Sequence, residues 1–259
     1  MALFARTTFL LFTTHVGRIF VSRRALVCIA LALLPALVAA AIAHFSRRID
    51  AVEIVVYLGG IMLLQIVVPL LALIAGSAVV SEEIEDRTIT YLFSRPIPRA
   101  SLLFGRWLAT VMFLGTILAA ATALLLLAAS TSKVASDPLD AALVRALFEA
   151  VLMGATVYSA LFAVAGILFK SPILVGLGYT FAVEGFLANL PGGNQSLTIQ
   201  YYLRSWMLER GGRAWKVDGL ELDKPEAVAG VLITLGMVLA VALAFGAWRI
   251  TKREFVLTS

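Results

Sequence analysis

Runs of about twenty apolar residues recur from one end of this chain to the other, and they decide which solvent it folds in. Residues 25–43, 54–80 and 227–248 contain no Asp, Glu, Lys or Arg. Residues 103–129 contain only Arg106, residues 146–169 only Glu149, and residues 173–190 only Glu184. A helix rising about 1.5 Å per residue needs about 20 such residues to cross a hydrocarbon core of roughly 30 Å. Inside lipid, a single segment satisfies its own backbone polar groups only as a helix. Composition agrees: 61% of the 259 residues are hydrophobic and 14% are charged, against about 25% charged in soluble domains. The expected fold is an all-α integral membrane protein of six transmembrane helices forming one domain over residues 1–259.

The charges sit mostly at the ends of these runs. The formal net charge is +5. A basic surplus in a soluble protein suggests nucleic acid, but here a positive-inside bias accounts for it and no nucleic-acid partner is expected. Arg6, Arg18, Arg23 and Arg24 precede the first run, with no acid among them. Arg87, Arg95, Arg99 and Arg106 follow the second, and Arg249, Lys252 and Arg253 follow the last. Between the first two runs Arg47 and Arg48 are offset by Asp50 and Glu53. Both termini are therefore expected in the cytoplasm, and the long connection 191–226, with five basic and five acidic residues, outside. The sequence Ala41-Ile42-Ala43 resembles a signal-peptidase site, but the 24 residues ahead of the first run are long for a signal n-region, so that run is expected to be retained. Cys28, the single cysteine, lies in an apolar run and reads as a small hydrophobe.

Two segments outside the runs have structure of their own. Residues 1–24 mix Phe4, Phe9, Leu10, Phe12, Ile19 and Phe20 with arginines and threonines, the mixture of an interfacial helix lying on the membrane. Between the second and third runs, Ser81 is a candidate N-cap, followed by Glu82, Glu83 and Glu85 where acids complement a helix dipole. Glu83 and Arg87 stand at i, i+4, and Ile84, Thr88, Tyr91 and Leu92 share a stripe. Pro96 and Pro98 then hold the chain extended. This predicts a short cytoplasmic helix over 81–99, shaped to dock on a partner.

The same residues carry a resemblance. The acidic cluster Glu82, Glu83, Glu85, then Arg87-Thr88, then Ser94, Pro96 and Arg99, with Gly105-Arg106 at the start of the next run, is similar to the ABC-2 type permease family. The layout of an N-terminal interfacial segment, six spans and a longer outer loop before the last span resembles it as well. The resemblance implies that Glu82, Glu83, Glu85, Arg87, Thr88, Tyr91, Pro96 and Arg99 form a coupling helix seated on an ATPase subunit. It implies a bacterial cytoplasmic (inner) membrane exporter, with two permease copies paired as a homodimer and two ATPase copies that bind ATP and Mg. An extracytoplasmic accessory protein is a further partner of such systems. Residues 198–208 would then form a short re-entrant helix near an outer gate. The chain has no G-x-x-x-x-G-K-[ST] phosphate loop, so it is expected to have no ATPase activity or cofactor of its own.

Ionisable residues within spans default to functional candidates. Glu149 stands four residues after Arg145 and can pair with it; Glu184 follows Tyr179 in the fifth run. Both, with Tyr179, Tyr202 and Gln65, are candidates for the pathway or gate. Pro69 frees a backbone carbonyl in the second run, and Gln65, Tyr158 and Ser159 have polar groups suited to inter-helix bonds. Glu82-Glu83-x-x-x-Arg87 is also similar to the first motif of the CAAX-processing and bacteriocin-immunity protease family, which needs later histidines. His15 and His44 are the only histidines and both precede the motif, so neither that metal site nor Ser/His catalysis is expected. A secondary transporter, channel or scaffold without an ATPase remains the alternative; no internal repeat supports it. Scarce buried charge hints at an amphipathic or lipid-like cargo.

Overall fold

Several helices begin where a polar side chain accepts from one of the unpaired N–H groups of the first turn, and these caps punctuate the fold. The computed structural model describes residues 2–46, 48–85, 99–134, 139–189, 193–215, 222 and 224–252. Helix α1 (Ala2–Ile19) precedes α2 (Arg23–Phe45), whose cap is the Ser22 hydroxyl accepting from Ala25 N at 3.1 Å. Asp50 caps α3 (Ala51–Ile54), accepting from Glu53 N at 2.7 Å. The helix then widens into π turns over Val55–Val67 before tightening into α4 (Val68–Glu85). Next come α5 (Arg99–Ser130) and α6 (Ala141–Leu168), the latter capped by Asp140. Helix α7 (Pro172–Gly178) continues as π turns over Tyr179–Phe186. Two 3-10 turns lead to α8 (Ile199–Gly211), capped by Thr198, and α9 (Val228–Lys252) closes the described chain.

Among the described residues all regular structure is helical, and five helices are long and apolar enough to cross a membrane: Arg23–Phe45, Ala51–Val79, Ala100–Ser130, Ala141–Leu168 and Val228–Lys252. The run at 173–190 differs from the expectation. It forms the shorter apolar helix Pro172–Phe186, which at about 1.5 Å per residue covers about 22 Å. Proline opens it and the backbone tightens into a 3-10 turn at Leu187.

The middle of the bundle is the pair formed by Ala51–Val79 and Ala141–Leu168, whose most apolar stretches are 61% buried, against 22% for α9. They cross closely because Gly76 has no side chain: a Cβ there would stand 2.8 Å from the Ser159 carbonyl oxygen. Leu63, Leu64, Leu71, Phe113, Leu147, Tyr158, Phe162 and Leu203 fill the common core. Leu127, Ile233, Met237 and Val241 point outward, the apolar exterior that lipid requires. Helices α6 and α9 run in the same direction. Met153, midway along α6, shares one cleft with Leu235 of α9, and nearer their ends Gly246 packs against Ile167.

Two readings of the N-terminal half are refined. Helix α1 is separate from α2 and lies along α5, where a Cβ on Gly105 would stand 2.7 Å from the Thr8 carbonyl oxygen and Phe4 meets Phe104 edge-on at 6.0 Å. Ser81 does not start a new helix. It lies inside α4, which runs unbroken to Glu85 because nothing after Pro69 stops it. Glu82, Glu83 and Glu85 therefore lie within the helix that begins at Val68 rather than in the first turn of a new one.

Candidate functional site

The expected coupling segment is bracketed by the structure. Glu82, Glu83 and Glu85 lie in the last turns of α4, and Arg99 begins α5. Arg87, Thr88, Tyr91 and Pro96 fall in 86–98, outside the described residues. Two bonds tie the helices on either side. Arg106, 6% exposed, donates from Nη1 to the Val79 carbonyl at 3.3 Å, joining the start of α5 to the end of α4. Trp107 donates from Nε1 to Ser159 Oγ at 3.1 Å, joining α5 to α6. An arginine inside an apolar run is costly unless it has a partner, and the α4 carbonyl is one.

At the opposite end of the bundle a polar cluster gathers around Glu184, 3% exposed. Its Oε1 accepts from the Tyr179 hydroxyl at 2.7 Å and from Ile199 N at 3.1 Å; its Oε2 accepts from Gln200 N at 3.0 Å. Tyr179 and Glu184 are five residues apart, the interval that a π turn closes, and the π turns over Tyr179–Phe186 bring them together. The N–H groups of Ile199 and Gln200 belong to the first turn of α8, which lacks intrahelical partners and carries the positive end of the helix dipole. The carboxylate supplies both needs.

The next link starts from Pro69. The π turns end where Val68 N–H donates to the Leu63 carbonyl. By the same interval the Leu64 carbonyl would be served by residue 69, and proline has no N–H. Gln200 fills the gap, donating from Nε2 to Leu64 O at 3.0 Å. One turn along α8, Arg204, 2% exposed, donates to Ala188 O at 3.4 Å. Burial draws its pKa down, and Tyr158 and Glu184 oppose the shift. Among the described residues the buried Thr180 hydroxyl and Gln200 Oε1 have no hydrogen-bond partner. Tyr158 lies within electrostatic reach of Glu184 and Tyr179.

Helix α8 is held at its far end too. Trp206 donates from Nε1 to Glu149 Oε2 at 3.0 Å, while Arg210 and Arg145 each stand 3.7 Å from Glu149 Oε1. Glu149 is therefore a bridge between α6 and α8, with the Arg145 pairing its spacing suggested. The Ser205 hydroxyl accepts from Glu226 N at 3.0 Å, just ahead of α9. Tyr201 donates to Lys224 O at 2.6 Å; burial, and secondarily Glu226, raises its phenol above the ordinary value. Tyr202 is half-buried with its ring edge-on to Tyr201 at 5.1 Å. Gln65 stays apart from this network: among the described residues its Nε2 has no hydrogen-bond partner.

Thus Glu184, Tyr179 and Glu149 converge on α8. The family described as ABC-2 family transporter protein matches residues 5–194. The chain belongs to this family. No curated protein matches it. The matched range of this ABC-2 transporter protein takes in α1 to α7 and the π turns holding Glu184, and ends before α8. Gln200, Arg204 and Trp206, which complete the cluster, lie beyond it and were missed by sequence reasoning. Their signal was present: Gln200 and Arg204 stand at i, i+4 and so share a face, in a segment otherwise apolar enough to bury them. ABC-2 permeases are membrane components that work with a separate ATPase.

Proposed function

We propose that this ABC-2 protein is the permease half of an ATP-driven exporter in a bacterial cytoplasmic membrane. Two copies pair as a homodimer, and two ATPase subunits, which bind ATP and Mg, seat on the cytoplasmic segment 81–99. Glu82, Glu83, Glu85, Arg87, Thr88, Tyr91, Pro96 and Arg99 form the contact. The observation that carries this reading is the Arg106 bond to Val79. Helices α4 and α5, which enter and leave the segment, are fixed to each other at its base, so force applied there reaches the central helices as one body. At the outer end α8 is the gate element, held by Glu184 and Glu149. Rigid-body motion of the central pair would strain both holds and open the outer side.

The topology follows six crossings. Because α6 and α9 run the same way, the chain between Leu168 and Val228 has to return across the bundle. Pro172–Phe186 and the turn after it are the segment available. An even number of crossings also keeps the basic groups at Arg23–Arg24 and Arg249–Lys252 on one side, as the positive-inside bias requires. A scaffold role, or work on an extracytoplasmic accessory protein, would share this topology, so the test is biochemical. Tagged protein is purified from its native membrane in mild detergent and assayed for vanadate-sensitive ATPase activity, with Glu83→Lys and Arg87→Glu in parallel. A co-purifying P-loop ATPase, lost in both variants, is expected. Protein that purifies without ATPase, and is indifferent to both changes, refutes the reading.

A further inference from the structure

Helices ordinarily hold π geometry for a single turn, yet the second span keeps it over 13 residues, Val55–Val67. Between α3 and α4 the whole stretch amounts to one slip of the hydrogen-bond ladder, in which each N–H reaches back five residues instead of four. The slip ends at Val68, whose N–H donates to the Leu63 carbonyl. Pro69 follows, so the Leu64 carbonyl receives nothing from residue 69. An α register at the same place pairs the chain differently. Val68 N–H would then serve Leu64, and the donor that proline lacks would be missing at the Gln65 carbonyl. The two registers leave different carbonyls bare, and the bond from Gln200 Nε2 to Leu64 O at 3.0 Å answers only the π one.

The second π stretch, Tyr179–Phe186, meets the same turn of α8, because its Glu184 accepts from the N–H groups of Ile199 and Gln200. We infer that α8 is a register latch: through Gln200 it holds the second span in its π register, and its withdrawal lets that span revert to α. Once Leu64 O is given up, Val68 N–H takes it, and α turns zip back from Val68 toward Ala51. The half that moves is the outer one. Helix α4 is locked to α6 where Gly76 meets the Ser159 carbonyl and Gly166 meets the Ser77 carbonyl, backbone against backbone. The outer arm has a softer neighbour. A Cβ on Gly59 would stand 2.8 Å from Leu147 Cδ2, the far end of a side chain. Residues 51–63 therefore turn about their own axis, carrying Tyr57 to a new face. The latch rests on hydrogen-bond register alone and holds whether or not an ATPase drives α8.

The full chain with Cys28→Ala, together with whatever subunits co-purify, is spin-labelled at Tyr57→Cys and Met237→Cys, which are 43% and 61% exposed. It is diluted with unlabelled protein so that double electron–electron resonance reads pairs within one chain. A turn of about 100°, one residue of α-helix, moves a label about 5 Å off the axis by about 7 Å. Gln200→Leu removes the donor to Leu64 O, and is expected to shift the Tyr57–Met237 distance by about 5 Å. The reference pair Leu127→Cys with Met237→Cys, on α5 and α9, is expected to keep its distance. Pro69→Ala leaves α8 intact and lets the α register pair both Leu64 and Gln65, so it is expected to add the displaced distance as a second population even if Gln200→Leu fails to fold. An unchanged Tyr57–Met237 distance in Pro69→Ala, or in a folded Gln200→Leu, overturns the inference. So does an equal shift of the reference pair, which would mean general loosening rather than a change of register.

Discussion

Glu184 uses two oxygens to answer three donors, and that sets what a substitution can do. The carboxylate accepts from Tyr179, Ile199 N and Gln200 N. In Glu184→Gln one oxygen becomes an amide N–H₂, which can only donate, so at least one N–H of the α8 first turn loses its partner and the favourable charge at the helix N-terminus disappears as well. A buried unsatisfied donor costs about 1–3 kcal/mol. The variant is expected to unfold at lower temperature in detergent and to show faster hydrogen exchange at Ile199 and Gln200 than elsewhere. An unchanged melting point with unchanged exchange would remove Glu184 from the hold on α8. At the other end of the bundle, Arg106→Met keeps bulk and removes the donor to Val79 O. It is expected to leave the protein able to insert and to purify with its ATPase, yet to uncouple ATP hydrolysis from transport, read as hydrolysis retained with transport reduced at least about tenfold. Transport equal to wild type would show that the α4–α5 bond carries no force.

At the scale of elements, the hold on α8 depends on a defect in another helix. Pro69 cannot serve the Leu64 carbonyl, and Gln200 does so from across the core. Pro69→Ala restores an N–H that competes for the same oxygen, so the two residues are coupled. In the wild-type background Gln200→Ala is expected to cost about 1–2 kcal/mol, a buried hydrogen bond and the carbonyl it leaves bare. In the Pro69→Ala background the cost is expected to fall below about half of that. A double-mutant cycle on thermal or denaturant unfolding reads the difference, and strict additivity refutes the link. The sequence pointed to half of this arrangement. A proline in an apolar run announces a freed carbonyl, but the partner stands 136 residues away in sequence, and no local pattern names it. The π turns were equally illegible: Tyr179 and Glu184 were both candidates, yet their spacing of five suits neither the 3.6 nor the 2.0 period by which a sequence is read. The acidic cluster was misplaced for a related reason. Ser81 followed by glutamates is a sound N-cap signal in isolation, and it was overridden because α4 is already a helix when it reaches Ser81.

At the scale of the molecule, the apolar runs made the helical membrane fold legible, since bilayer thickness and the demand for internal backbone pairing leave few other solutions. Hydropathy does not report the length of helix that each run sustains. Residues 173–190 are as apolar as a span, but the helix that they continue from Pro172 widens into π turns and ends in a 3-10 turn, so it is short, whereas the six-crossing topology proposed above needs this segment to return across the bundle. The consequence is a topology that can be measured. With Cys28 replaced by Ala, single cysteines at Ser171 and Lys224 flank the disputed segment from its two ends. Six crossings predict that a membrane-impermeant maleimide added to intact cells labels Lys224→Cys and not Ser171→Cys, and that Ser171→Cys reacts once the membrane is opened. Cysteines at Arg18 and Lys252 should behave like the one at Ser171, because an even number of crossings returns the chain to the side where it began. Labelling of Lys252→Cys in intact cells, with Arg18→Cys protected, would instead mean five crossings. Pro172–Phe186 would then be a re-entrant hairpin arm, and the common basic face of the two chain ends would be lost.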